Sequence, residues 1–166
     1  TDAVIEVFLG DMEAGVSAVK EHMTPDVDVI ISRGLTARMI EEAIDCPVLS
    51  VTFSPYDVLR AIQSAQILSN RFAIIGNKSI TNSANLLCES LQYNQAIVRT
   101  FDDLIHLKKQ LSDLKQQGYD LIVGDRITVT SAQDMGMRAI LIASGIDSIQ
   151  DAINKAILFC NYSNKL

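Results

Sequence analysis

The chain has 166 residues, 48% of them apolar, with a formal net charge of −6 and a sequence pI of about 4.8. That length holds one large domain or two small lobes, and the apolar share supports a buried core. The acidic balance argues against a face that grips a nucleic-acid backbone, which needs clustered basic residues, and no run approaches the roughly 18 apolar residues of a membrane span.

Apolar runs bounded by turn signals predict strands at 3–9, 28–32, 48–52, 72–76, 95–100, 121–124 and 139–143. Helix-period patterns lie between them, at 12–22, 36–43, 57–68, 81–91, 104–117, 130–135 and 148–160. Strict alternation of strand and helix predicts an α/β fold with parallel sheets covered on both faces, since strands this apolar are buried on both sides. Start and stop signals support the helices. Asp102 is a candidate cap for the helix at 104, Ser54 with Asp57 forms a capping-box pattern, and Gly118 is a stop after Gln117.

Residues 28–62 and 120–153 repeat one supersecondary unit. The first reads DVIISRGLTARMIEEAIDCPVLSVTFSPYDVLRAI and the second DLIVGDRITVTSAQDMGMRAILIASGIDSIQDAI. Each has a strand ending in a small residue and an arginine, then a helix, then a strand closing on Ser-x-x-Asp. The repeat predicts two lobes: 1–68, completed by 148–166, and 69–147, with a hinge at Ser69-Asn70-Arg71. The second half carries a strand and helix at 71–93 with no counterpart before Ala3. The first lobe is therefore expected to lack one strand–helix unit, of roughly 20–25 residues as such units go, and the chain to be a fragment.

Ligands of open parallel sheets bind at the strands' carboxyl ends, so the candidate residues are sought there. Ser32, Arg33, Gly34 and Thr36 open one helix, and Gly124, Asp125, Arg126 and Thr128 open the matching one. A helix N-terminus offers free N–H groups and partial positive charge, and a guanidinium suits a carboxylate. Ser54, Tyr56 and Ser144 follow the second strand of each copy, and Gly76 and Asn77 end the strand at 72–76. The loop Gly76-Asn77-Lys78-Ser79 lacks phosphate-loop glycine spacing and reads as a strand-to-helix turn facing the same edge. For any one loop the plainer reading is a capped helix beside a surface arginine; two matching loops favour a clamp on one small anion.

Other chemistry finds little support. His22 and His106 both fall within helix patterns, and Cys46, Cys88 and Cys160 share no metal-like spacing. No catalytic residue, metal or cofactor is expected, and reduced thiols suit a cytosolic protein. A phospho-acceptor domain needs an acidic pair; Asp125 stands at a strand end, but Glu6 alone makes no pair.

The segment ISRGLTARMIEEAIDCPVLSVTFSPYDVLRAI, and the Ala132, Gly136, Met137 step of the second copy, resemble the N-terminal receptor domain of the propionate catabolism activator family of sigma-54-dependent, NtrC-type transcription regulators. The resemblance spans essentially the whole chain. It implies two Rossmann-like three-layer α/β/α lobes, a chelatase-like or periplasmic-binding-protein-like duplication with a small organic acid in a central cleft. It also implies ATPase and DNA-binding domains further along the full-length chain, with no nucleic acid or membrane contact by this segment. The propionate regulator senses a methylcitrate-like tricarboxylate. Two arginines for three carboxylates leave the acid unnamed here, and a homodimer is left open. The competing readings are a chelatase-like or racemase-like enzyme on the same architecture, and a pure interaction domain.

Overall fold

The computed structural model describes residues 3–163. The chain divides into two compact units: Thr1–Thr52 with Ile146–Leu166, and Phe53–Gly145.

In the first unit, α1 (Glu13–His22), β1 (Ile30–Ser32), α2 (Gly34–Ala43) and β2 (Val48–Ser50) follow in order, joined by the last helix of the chain, α7 (Ile146–Ser163). β1 and β2 are parallel, from Ile30 opposite Val48 to Ser32 opposite Ser50. α2 and α7 both pack on this pair, and α1 packs on α2. The residues at 3–9 form no strand, against the sequence expectation. Val4, Val7 and Leu9 are almost fully exposed. An apolar row becomes a strand only beside a partner ladder, and among the described residues this sheet has two strands only.

The second unit contains α3 (Pro55–Leu68), β3 (Phe72–Gly76), α4 (Lys78–Ser90), β4 (Ala96–Thr100), α5 (Leu104–Gln116), β5 (Leu121–Gly124), α6 (Arg126–Asp134) and β6 (Arg138–Leu141). Its sheet is parallel throughout, in the order β4-β3-β5-β6. The two-residue period of a strand sends neighbours to opposite faces. Phe72, Ile74, Leu121 and Val123 therefore join Val58, Ile62, Ala65, Ile80 and Ala84 under α3 and α4. Ala73, Ile75 and Ile122 join Leu107, Leu111, Leu114 and Ala132 under α5 and α6. This unit is a three-layer α/β/α sandwich.

The passage between units falls between Thr52 and Phe53, not at Ser69-Asn70-Arg71, and the return falls between Gly145 and Ile146. The cause is the apolar stripe of α3. Val58, Ala61, Ile62 and Ala65 are buried in the second unit's core, so α3 leaves the unit of β2, the strand that precedes it. α7 likewise leaves the unit of β6 and packs on β1 and β2.

Candidate functional site

Strand direction makes one place in the second unit special. From β3 the chain moves outward through α4 to β4, and from β5 it moves the other way through α6 to β6. α4 lies on one face of the sheet and α6 on the other. Neighbouring β3 and β5 thus flank a topological switch point, where the loops at the strands' carboxyl ends part and leave a crevice.

Both lips of this crevice are built alike. β3 ends at Gly76, Asn77 caps α4, and Lys78 is its first residue. β5 ends at Gly124, Asp125 caps α6, and Arg126 is its first residue. The Asn77 side chain accepts the Ile80 N–H at 3.1 Å. Asp125 Oδ1 accepts the Thr128 N–H at 3.2 Å and the Thr128 hydroxyl at 2.9 Å. Each cap fixes its first turn, so the basic side chain behind it leaves from a defined backbone. Ile75 pairs with Gly124 across the two strands, which puts the lips side by side. Neither glycine leaves room for a side chain: a Cβ on Gly76 meets Ile80 at 2.8 Å, and one on Gly124 meets Thr128 Cγ2 at 2.5 Å and the Ile75 carbonyl oxygen at 2.8 Å. Lys78 and Arg126 are both exposed, and two cations stand at adjacent helix starts. Lys78 is the residue the sequence reading passed over. Its signal is the equivalence of Gly76-Asn77-Lys78 with Gly124-Asp125-Arg126, a likeness that lies outside the phosphate-loop pattern.

In the first unit Ser32 ends β1, and its carbonyl accepts the Val51 N–H at 2.8 Å. Arg33 is the half-buried N-cap of α2, with φ −148° and no side-chain capping bond. Gly34 follows with φ +60°, a left-handed turn that favours glycine. The arginine here stands one position earlier than Arg126 does on α6, so the two copies are out of step at this point.

Several predicted residues serve the fold. Thr36 is buried, accepts the Met12 N–H at 2.8 Å and faces Asp11 Oδ1 at 3.5 Å, so its hydroxyl holds the turn before α1. Thr128 is fully buried and bonded to Asp125, and Asp125 is committed to its cap. Ser54 caps α3 and accepts the Asp57 N–H at 3.2 Å. Tyr56 is 72% exposed on the first turn of α3. Ser144 is half-buried just ahead of α7. Asp103, not Asp102, caps α5, by accepting the His106 N–H at 2.7 Å.

His106 lies in the first turn of α5, inside the helix the sequence predicts, and its ring bonds Gln110 at 3.2 Å. His22 bonds the Ala18 carbonyl at 2.9 Å and stacks on Phe8. The thiols are free, and burial pushes each above its ordinary pKa, with Asp28 and Asp45 adding to the shift at Cys46 and Asp28 at Cys160. Among the described residues no group of three or more His, Cys, Asp or Glu could hold a metal ion, and no helix is long and apolar enough to cross a membrane. Two open hollows of the first unit, one against Val16 and Met39 and one against Leu158 and Phe159, contain none of the predicted ligand residues.

A family model described as propionate catabolism activator matches residues 1–165. Among solved structures, an NtrC family transcriptional regulator from Clostridium acetobutylicum superposes with a TM-score of 0.76. The match covers 92% of this chain and 81% of that one at 23% identity, which is a likeness of fold.

Proposed function

We propose a sensory function for this chain, which belongs to the propionate catabolism activator family. It takes up a small organic acid at the carboxyl ends of its parallel strands. Binding is reported to ATPase and DNA-binding regions of an NtrC-type transcription regulator. The observation that carries this reading is the paired crevice of the second unit, where Lys78 and Arg126 begin adjacent helices behind matching caps. A carboxylate there meets backbone N–H groups and two cations, and charge-assisted hydrogen bonds of this type are the stronger kind.

The same arrangement argues for binding over turnover. An enzyme on this architecture wants a titrating group such as histidine or cysteine among the ligand contacts, and neither Gly76-Asn77-Lys78 nor Gly124-Asp125-Arg126 carries one. Tyr56, Ser54, Ser144, Gly76 and Asn77 add polar surface around the acid. The test is a thermal-shift series of mono-, di- and tricarboxylic acids, because a ligand that binds only the folded chain raises its melting temperature. The expected result is a dose-dependent rise with one or more multivalent acids that Arg126→Ala diminishes. No rise with any acid of the series contradicts the reading.

A further inference from the structure

The chain passes between its two units twice, at Thr52–Phe53 and at Gly145–Ile146. A single side chain binds the backbone beside both passages. Asp57 is 2% exposed. Its Oδ2 accepts the N–H of Ser54, next to the first passage, at 2.9 Å. Its Oδ1 accepts the N–H of Gly145, the last residue before the second, also at 2.9 Å. Arg60 donates to the same Oδ1.

A helix cap accounts for only part of this. The reciprocal bonds of Ser54 and Asp57 form a capping box and need one carboxylate oxygen. The bond to Gly145 crosses 88 residues and adds nothing to the helix. The repeat offers a control. Asp147, the sequence counterpart of Asp57, is exposed in the first turn of α7. One copy's aspartate was thus placed at the end of the other copy.

We propose that Asp57 is a positioning residue that couples the two passages, holding both on one buried carboxylate so that they move as a single hinge. Hinges are a few terminal residues that absorb backbone rotation; here a rotation at one passage is transmitted to the other through Asp57. A carboxylate only accepts, and every one of these partners donates. Asparagine in its place offers one acceptor and one donor, so it faces at least one of the two N–H groups with its own N–H. Gly145 completes the joint. A Cβ on it lies 2.6 Å from Arg60 Nη2 and 3.0 Å from Asp57 Oδ1, the two partners of the ion pair. This goes beyond the sensory reading, and its test needs no ligand.

The experiment is amide hydrogen exchange, resolved by residue, on the 166-residue chain and two variants. Asp57→Asn is expected to speed exchange at both Ser54 and Gly145 by about tenfold or more, as the loss of a charge-assisted hydrogen bond implies. Gly145→Ala, made at the second passage, is expected to speed exchange at Ser54 in the first. Phe72, Ile74 and Val123 in the core keep their protection in both. A residue that merely caps α3 gives a different pattern: Asp57→Asn then affects Ser54 alone. That pattern, or Gly145→Ala leaving Ser54 unchanged, overturns the proposal. Should Asp57→Asn fail to fold, Gly145→Ala decides it alone.

Discussion

Asp57 and Gly145 lie 88 residues apart in the chain and meet at 2.9 Å, carboxylate oxygen to backbone N–H. Each stands near the end of one copy of the repeat. The contact ties the start of α3 to the loop after β6, within the second unit. The apolar stripe of α3 carries the helix onto the second copy's sheet, and this contact fixes its first turn there.

That placement of α3 predicts where damage is felt. Ile62 is fully buried among Phe72, Ile74 and Val123. Ile62→Ala is expected to cost about 2–5 kcal/mol and to lower exchange protection in β3 and β5. If protection falls only at β1 and β2, α3 belongs with the first unit after all.

The two caps of the crevice are expected to matter for stability in their own right. Asn77→Ala and Asp125→Ala each remove a side-chain bond to a helix's first turn. Each is expected to cost about 0.5–2 kcal/mol, with Asp125→Ala the worse because Thr128 is fully buried and loses its hydroxyl partner. Chemical denaturation midpoints check the order.

The paired glycines predict an asymmetry. An alanine at 76 presses on the Ile80 side chain, whereas one at 124 presses on Thr128 and on the Ile75 carbonyl, held in the sheet. Overpacking of this kind costs about 1–3 kcal/mol. Gly124→Ala is expected to lower the melting temperature more than Gly76→Ala, and the reverse order contradicts the packing described.

Alkaline pH supplies a further check. Burial raises the Cys88 thiol above its ordinary value, which is about 8.5. Below that pH the thiol is protonated folded and unfolded, and its contribution is fully present. As pH rises, the unfolded chain ionises first, and the contribution is lost as pH passes through the folded value. Melting temperature followed from pH 7 to pH 10 is expected to fall less steeply for Cys88→Ser than for the unaltered chain.

Much of this was legible in the sequence, for reasons that differ between elements. β3 and β5 were read with their ends in place, because unbroken apolar runs stopped by glycine leave little choice. Residues 3–9 show the limit of the same signal: apolar character is local, and a ladder partner is not. Periodicity announced that α3 has an apolar face, but it cannot say which sheet the face covers. Asp102 and Asp103 are chemically equal candidates, and it is Asp103, with φ −146° and ψ 173°, whose carboxylate accepts the His106 N–H. Repeat and strand-end logic leads to Arg33 and Arg126, which stand at the starts of α2 and α6. The hydroxyls of Thr36 and Thr128 were found by the same logic and then proved to be bonded inside the fold.

The central claim is that the strand ends of the second unit bind a small organic acid through Lys78 and Arg126. Its most direct test is titration calorimetry of the acid that gives the largest thermal shift, against the unaltered chain, Arg126→Ala and Lys78→Ala. Loss of one charge-assisted hydrogen bond, about 1.5–3 kcal/mol, predicts a roughly ten- to hundred-fold weaker Kd for each variant, with unchanged folding. Equal affinity in all three would contradict the account.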